Sequence, residues 1–338
     1  MTIRKWTVGV AVALAAVAAL AVAAGGSASS SKGTADFKVA VVTDIGGLND
    51  KGFNALAYKG LQDAQKKLGV KGRVFISKSA ADYIPNLSTA AKQGNQLVIA
   101  VGFLMADSIS AVSKRFPNTN FAIVDYPWIA LKGKPKNARG IIFTEQEAGC
   151  LAGVAAANVT TTGTISTIGG IKIPPVDAFI AGFQFCAKKV KPAIQLLNDY
   201  SQDFVAQDKC KELALKQNDA GSDVIFQVAG GCGLGALQAA KERKVWGIGV
   251  DNDQGFLGAH VLTSATKKVD SGVFQTIAIS KAGKFKGMTD GLFNVKNGGT
   301  GYGAVSAKAP KRAALIGKLQ LWARNLASGK VKPPRELK

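Results

Sequence analysis

The stretch "DVIFQVAGGCGLGALQAA", Asp223 to Ala240, decides how the rest of the chain reads. An apolar run from Val224 to Ala229 meets a glycine turn and then an alanine-rich pattern, the order strand, turn, helix. Gly231, Gly233 and Ala236 match the dinucleotide fingerprint G-x-G-x-x-G/A, and a carboxylate, Asp251, follows at nearly the expected distance. A dinucleotide domain places this turn after its first strand, whereas here several strands of a second half precede it. Glycines at such a turn permit close backbone approach whatever is bound. The fingerprint is therefore read as strand-turn-helix geometry without a nicotinamide cofactor, and no other cofactor is expected.

Similar runs lie on either side. "KVAVVTD", "RVFIS", "QLVIAVG", "NFAIVD" and "RGIIF" precede a helix near Glu147 to Ala157, and "GTISTIGG", "AIQLLND", "DVIFQVAG", "VWGIGVD" and "HVLTSA" follow it. Continuous apolar strands alternating with helical patterns point to parallel sheets buried on both faces, an α/β class. "AAKQGNQLVIAVGF" (Ala90 to Phe103) and "ALKQNDAGSDVIFQVAGG" (Ala214 to Gly231) each give a helix end, polar residues, a strand and a glycine. Their similar places in the two halves predict two lobes rather than one long sheet. Open parallel sheets bind ligands at the carboxyl ends of their strands. Two such sheets face to face make a cleft, the architecture of a solute-binding receptor.

The N-terminus predicts export. Arg4 and Lys5 precede "WTVGVAVALAAVAALAVAA", Trp6 to Ala24, which has no charge. This reads as a signal peptide over 1–24, with a flexible tether over 25–36. The apolar run is also long enough to span a bilayer, so an uncleaved anchor is the alternative. No cysteine occurs before Cys150, which removes lipid attachment at an N-terminal cysteine. Cys150, Cys186, Cys210 and Cys232 are even in number, and one histidine with no C-x-x-C spacing argues against zinc. Disulfides fit an exported chain. Cys150 with Cys186 and Cys210 with Cys232 is the favoured of three possible pairings, with buried free thiols as the alternative.

The net charge is +21, but the lysines are scattered without interleaved aromatics, apart from a modest cluster in a basic tail over 331–338. Such a pattern fits a solvated surface or an anionic envelope, with no nucleic-acid partner. Motifs for catalysis are missing: no G-x-S-x-G, no G-x-x-x-x-G-K-[ST], no H-E-x-x-H. The sole histidine, His260 in "LGAHVLTS", reads as a strand-edge residue. Glu145 and Glu147 start a helix, where acids complement its dipole. The carboxylates of "DIGGLND" and "DND" are spread over both halves rather than clustered for a metal, so neither a metal site nor an enzyme is expected.

"VVTDIGGLNDKGFNALAYKGLQDAQKKLG" carries the first half's loop. Its strand ends at Asp44, Gly46 and Gly47 allow a tight turn, and Asn49 or Asp50 caps the next helix. Phe53 in the first turn faces either core or cleft, and Asp44 alone could be a local turn acceptor. This opening resembles the signature of the basic membrane protein family, the bacterial nucleoside receptors related to the purine nucleoside receptor A lipoproteins. The likeness continues through "EQEAGCLAG", "GGIKIPPVDAFIAGFQ", "DVIFQVAGGCGLGALQAAKE", "GIGVDNDQ" and "LTSATKKVD", from Phe37 to about Lys284.

The resemblance implies a type I periplasmic-binding-protein fold of two Rossmann-like lobes joined by a three-segment hinge. The expected first lobe takes 37–143 and 263–287, the second 144–262 and 288–330. It implies that Asp44 and Asn54 lie at the nucleobase edge, with Phe53 stacked on one base face and Phe226 as the opposing wall. Asp125 adds a polar contact, Gly231 lets the backbone approach the ribose, Asp251 accepts from its hydroxyls, and Lys267 lies on the ribose side, with Lys268 as alternative. Flat rings sandwich a purine without charge, and a carboxylate accepts from both hydroxyls of a diol. The implied function is an extracytoplasmic, monomeric purine nucleoside receptor that delivers to an ABC transporter permease in the cell membrane. Another solute such as a sugar, an exported nucleoside hydrolase and a cell-wall adhesin are the rival readings. Three departures from the family stand out: Gly52 replaces a serine, the lipobox cysteine is missing, and the four cysteines are not general.

Overall fold

The computed structural model describes residues 36–337. The expected signal peptide and all of the tether but Asp36 lie outside the described residues. Strand and helix alternate through β1 (Lys38–Val42), α1 (Phe53–Leu68), β2 (Lys71–Phe75), α2 (Tyr83–Lys92), β3 (Leu97–Ala100), α3 (Ala106–Arg115), β4 (Asn120–Val124) and β5 (Ala138–Phe143). A first crossover leads to α4 (Glu145–Val159), β6 (Thr164–Gly169), α5 (Pro174–Val190), β7 (Gln195–Tyr200), α6 (Gln207–Asp219) and β8 (Val224–Val228). Next come α7 (Gly233–Glu242), β9 (Trp246–Asp251) and β10 (Val261–Lys267). The chain crosses back for α8 (Val269–Lys281) and β11 (Asp290–Phe293), then returns for β12 (Thr300–Tyr302) and α9 (Arg312–Ala327).

Two six-stranded sheets result, ordered β11-β5-β4-β3-β1-β2 and β12-β10-β9-β8-β6-β7. The orders correspond strand for strand, β1 to β6 through β5 to β10, so the repeat read between Ala90–Phe103 and Ala214–Gly231 falls on the equivalent strands β3 and β8. All pairings are parallel except that of β12 with β10. Runs such as "LVIA" in β3 and "VIFQV" in β8 are buried throughout because helices cover both faces. Residues of α1 and α8 share one core face of the first sheet, and those of α2 and α3 the other. In the second sheet α4, α5 and α9 cover one face, with α6 and α7 opposite.

The lobe boundaries depart from the sequence expectation. β10 stays paired with β9 through Thr266, so the second crossover falls after Lys267 and not at 262/263. The first sheet keeps β11 on β5, which moves the third crossover beyond Phe293. "DGLF" and "TGY" are short edge strands with no apolar run to announce them. The segment after α9 is not a free tail either, since Val331 and Leu337 pack on the second core.

Helices α4 and α5 meet backbone to backbone. A Cβ at Gly149 or Gly153 would overlap the carbonyl oxygen of Phe179 or Phe183, and one at Gly182 that of Gln146. Only glycine fits these three places. Cys150 and Cys186 bond across the same contact, and Cys210 bonds Cys232 between α6 and the start of α7. Both favoured pairings are present, with Cα atoms 5.0 and 5.5 Å apart, in the usual disulfide range. Among the described residues no helix is long and apolar enough to cross a membrane.

Candidate ligand-binding site

The carboxyl ends of both sheets open onto one cavity with about 620 Å³ of empty space, part of it continuous with solvent. The carboxyl ends of strands in open parallel sheets are where such folds take small ligands. Of the eight residues singled out from sequence, Asp44, Phe53, Asn54, Asp125, Gly231, Asp251 and Lys267 line it; Phe226 does not. Topology explains the convergence. Asp44 follows β1 and Asp125 follows β4, while Asp251 ends β9, the strand equivalent to β4. Asp125 and Asp251 have left-handed backbone, φ 68° and 61°, a conformation Asp tolerates better than most residues. Each lobe thus turns one carboxylate into the cleft at the same place in its sheet.

The loop after β1 is built from hydrogen bonds within itself. Asp50 accepts from the backbone N–H of Gly52, Asn54 and Ala55 at 3.1, 2.7 and 3.1 Å, which makes it the cap of α1. Asn54 Oδ1 accepts from the Asp44 N–H, and its Nδ2 donates to the Ile45 carbonyl at 3.2 Å. Asp44 accepts from the Tyr83 hydroxyl and the Ile45 N–H. The loop therefore holds Phe53 at the cavity edge, half-buried, while Asn54 spends its amide on the loop.

Lys267 is the fully buried cation of the cleft. Its Nζ lies 2.6 Å from Asp125 Oδ2 and 3.3 Å from Glu145 Oε1. The rings of Phe53, Phe143 and Phe179 surround it, with centroids 5.0, 5.2 and 5.8 Å away. Burial opposes its charge, but Asp125, Glu145 and Asp251 outweigh that and hold its pKa above the ordinary lysine range. Burial raises Asp125 against the pull of Lys267. Burial pushes Asp251 up to about 7 and Asp44 up to about 6.

Phe226 corrects the sequence expectation of an opposing aromatic wall. Along β8, Val224, Phe226 and Val228 face the α4–α5 side while Ile225 faces α6–α7. Phe226 sits one pleat back from the strand's end, stacked on Phe183 at 5.2 Å and edge-on to Phe179 at 6.3 Å. Val228, at the carboxyl end, reaches the cavity in its place. The second lobe's aromatic lining comes from Phe179 of α5 and Phe204 of the loop between β7 and α6. Phe179 lay within the motif "PPVDAFIAGFQ"; Phe204 sits in a loop where no periodicity marks it.

The glycines of the opening stretch take conventional roles. A Cβ at Gly231 would stand 3.2 Å from the Phe204 carbonyl, and one at Gly233 would overlap the Gln227 side chain. Gly231 lines the cavity, and Gly233 opens α7 after β8, the third strand of its lobe. His260 precedes β10 and is not part of the lining. Glu145 starts α4 as expected, but it is also buried in an ion pair that dipole reasoning did not anticipate.

A family model described as ABC transporter substrate-binding protein PnrA-like matches residues 37–312. The chain is 37% identical over 311 residues to the "ABC transporter nucleoside-binding protein BmpA" of Lactococcus lactis subsp. cremoris, covering 86% of this chain and 88% of that one. It is 34% identical over 327 residues to the "CD4+ T-cell-stimulating antigen" of Listeria monocytogenes, covering 90% of each. An ABC transporter system solute-binding protein from Aeropyrum pernix K1 has a similar fold, with a TM-score of 0.79 at 24% identity over 89% of this chain and 94% of that one.

Proposed function

This chain belongs to the family of PnrA-like ABC transporter substrate-binding proteins, and we propose that it captures purine nucleosides outside the cytoplasm for delivery to an importer permease. The observation that carries this reading is the cleft itself: Phe53, Phe179 and Phe204 line it together with a buried carboxylate, Asp251, at the end of β9. Aromatic faces hold a flat base, and stacking contributes about 1–3 kcal/mol per base. Asp251 accepts from the vicinal hydroxyls of the pentose. Asp44 and the loop it anchors face the base edge, where an unmatched donor or acceptor costs affinity through unpaired buried groups. Ligand bridges the lobes, favours the closed arrangement, and that form docks on the permease as a monomer. No bond is made or broken.

A thermal-shift panel of adenosine, guanosine, inosine, free purine bases and simple sugars tests the reading. A ligand at about 100 times its Kd adds about 2.7 kcal/mol of stability. Shifts with nucleosides and none with sugars are expected; a sugar response with silent nucleosides would replace the proposal. Hydrogen bonds to a charged acceptor contribute about 1.5–3 kcal/mol each. Asp251→Ala should therefore weaken nucleoside binding by at least about tenfold while the protein stays folded.

A further inference from the structure

Behind the cleft a line of alternating charges runs from the ligand cavity to the surface. It begins at Asp125, passes through Lys267 and Glu145, and ends at Arg335 in the segment after α9. Glu145 is buried, with its side chain 1% exposed, while that of Arg335 is 46% exposed. Each oxygen of Glu145 has its own cation: Oε1 faces Lys267 at 3.3 Å and Oε2 accepts from Arg335 Nη2 at 2.8 Å. Arg335 Nη1 also donates to the Phe143 carbonyl and to Gln146 Oε1, both at 3.0 Å. The guanidinium thus straddles the first crossover, where β5 ends and α4 begins. Val331 and Leu337, packed on the second core, fix the segment that delivers it.

We propose that Arg335 is a positioning residue for the ligand cleft: by holding Glu145 it keeps the Lys267 amine turned toward Asp125 and the cavity. Lys267 is shared between Asp125 and Glu145, whereas Arg335 pairs with Glu145 alone. Without Arg335 the one cation left to the buried Glu145 among the described residues is Lys267. A buried charge that loses one partner is strongly destabilised, so Glu145 draws the amine toward itself. That movement changes the short 2.6 Å contact with Asp125, whose second oxygen, Oδ1, is buried with no partner among the described residues. The fork geometry matters, since one guanidinium satisfies three acceptors at once and a lysine ammonium has no matching plane.

The consequence for binding rests on the nucleoside reading, so the test has one arm without ligand and one with inosine. In protein labelled with ¹⁵N at lysine Nζ, the Lys267 ammonium signal is assigned by its loss in Lys267→Met. It is then recorded in ligand-free Arg335→Ala and Arg335→Lys. We expect it to move in both variants, less in the lysine variant; an unmoved signal in Arg335→Ala overturns the proposal. In calorimetry with inosine, Arg335→Ala should cost about tenfold in affinity in the native background and less than about twofold in a Glu145→Gln background, a coupling typical of residues in one network. Equal losses in the two backgrounds, or no loss in either, overturn it as well. Failure of the native protein to bind any of adenosine, guanosine and inosine would sink the nucleoside reading, while the ligand-free arm still decides the role of Arg335.

Discussion

Replacing Phe226 by Ala distinguishes a core ring from a cleft ring, and the geometry gives the magnitude. The side chain is fully buried, stacked on Phe183 at 5.2 Å and edge-on to Phe179 at 6.3 Å. Truncating a buried Phe costs about 3–5 kcal/mol from lost transfer energy and the cavity left behind. Ring pairing accounts for about 0.5–1.5 kcal/mol of that per partner. In a chain of this size the loss lowers Tm on the order of 10 °C. Phe179 stands between Phe226 and the cavity, so the nucleoside Kd of folded Phe226→Ala should change by less than about threefold, as for a site with no ligand contact. Thermal unfolding without ligand, paired with calorimetry below the transition, reads both quantities. Phe53→Ala is the counterpart: half-buried at the cleft edge, it should lose affinity by about 1–3 kcal/mol with a small change in Tm. An unshifted Tm in Phe226→Ala together with a loss of affinity on the Phe53 scale would refute the placement of this ring in the core.

The remaining expectations concern protons, helix contact and disulfides. Burial raises the folded-state pKa of Asp251 to about 7, against an ordinary 3.8. Its protonated form therefore stabilises the ligand-free fold below about pH 4, and that contribution is lost as pH rises through 7. Ligand-free Asp251→Asn should accordingly gain on the native protein in Tm between pH 4 and 8, and a constant difference would contradict it. If Asp251 accepts from the ligand as proposed, binding needs its ionised form, so nucleoside affinity should fall by up to about tenfold per unit below pH 7, with proton release seen as buffer-dependent heats; flat affinity from pH 5 to 8 would contradict this. Gly182→Ala places a methyl against the Gln146 carbonyl and should destabilise by about 1–3 kcal/mol or more, measured by denaturant midpoint. The disulfides close sequence separations of 36 and 22 residues. Loss of either by Cys→Ala pairs should cost about 3–4 kcal/mol, and unchanged unfolding midpoints would argue that the thiols are free.

Much of the fold was legible in the sequence because it depends on local pattern, while the candidate site residues came from the family resemblance, and seven of the eight line the cavity. Apolar strand runs bounded by glycine and aspartate gave the parallel sheets, and the repeat between Ala90–Phe103 and Ala214–Gly231 gave the two lobes. The resemblance pointed to Asp125 and Asp251, and their positions at the carboxyl ends of strands agree with where open parallel sheets take ligands. The cysteine pairing was only the favoured of three from sequence, and it is the adjacency of the bonded segments in space that fixes it.

Tertiary structure alone decided which aromatic rings line the cavity and which buried charges pair. Phe226 and Val228 share a face of β8, and only the depth of the strand relative to α5 tells which one reaches the cavity. Phe204 enters the lining from a loop whose path is set by the glycines it packs against. Glu145, Lys267 and Arg335 are 122 and 68 residues apart along the chain yet form one charge line. Side-chain period is a property of neighbours in sequence, whereas burial and electrostatic pairing belong to neighbours in space. Only the packed molecule brings the latter together.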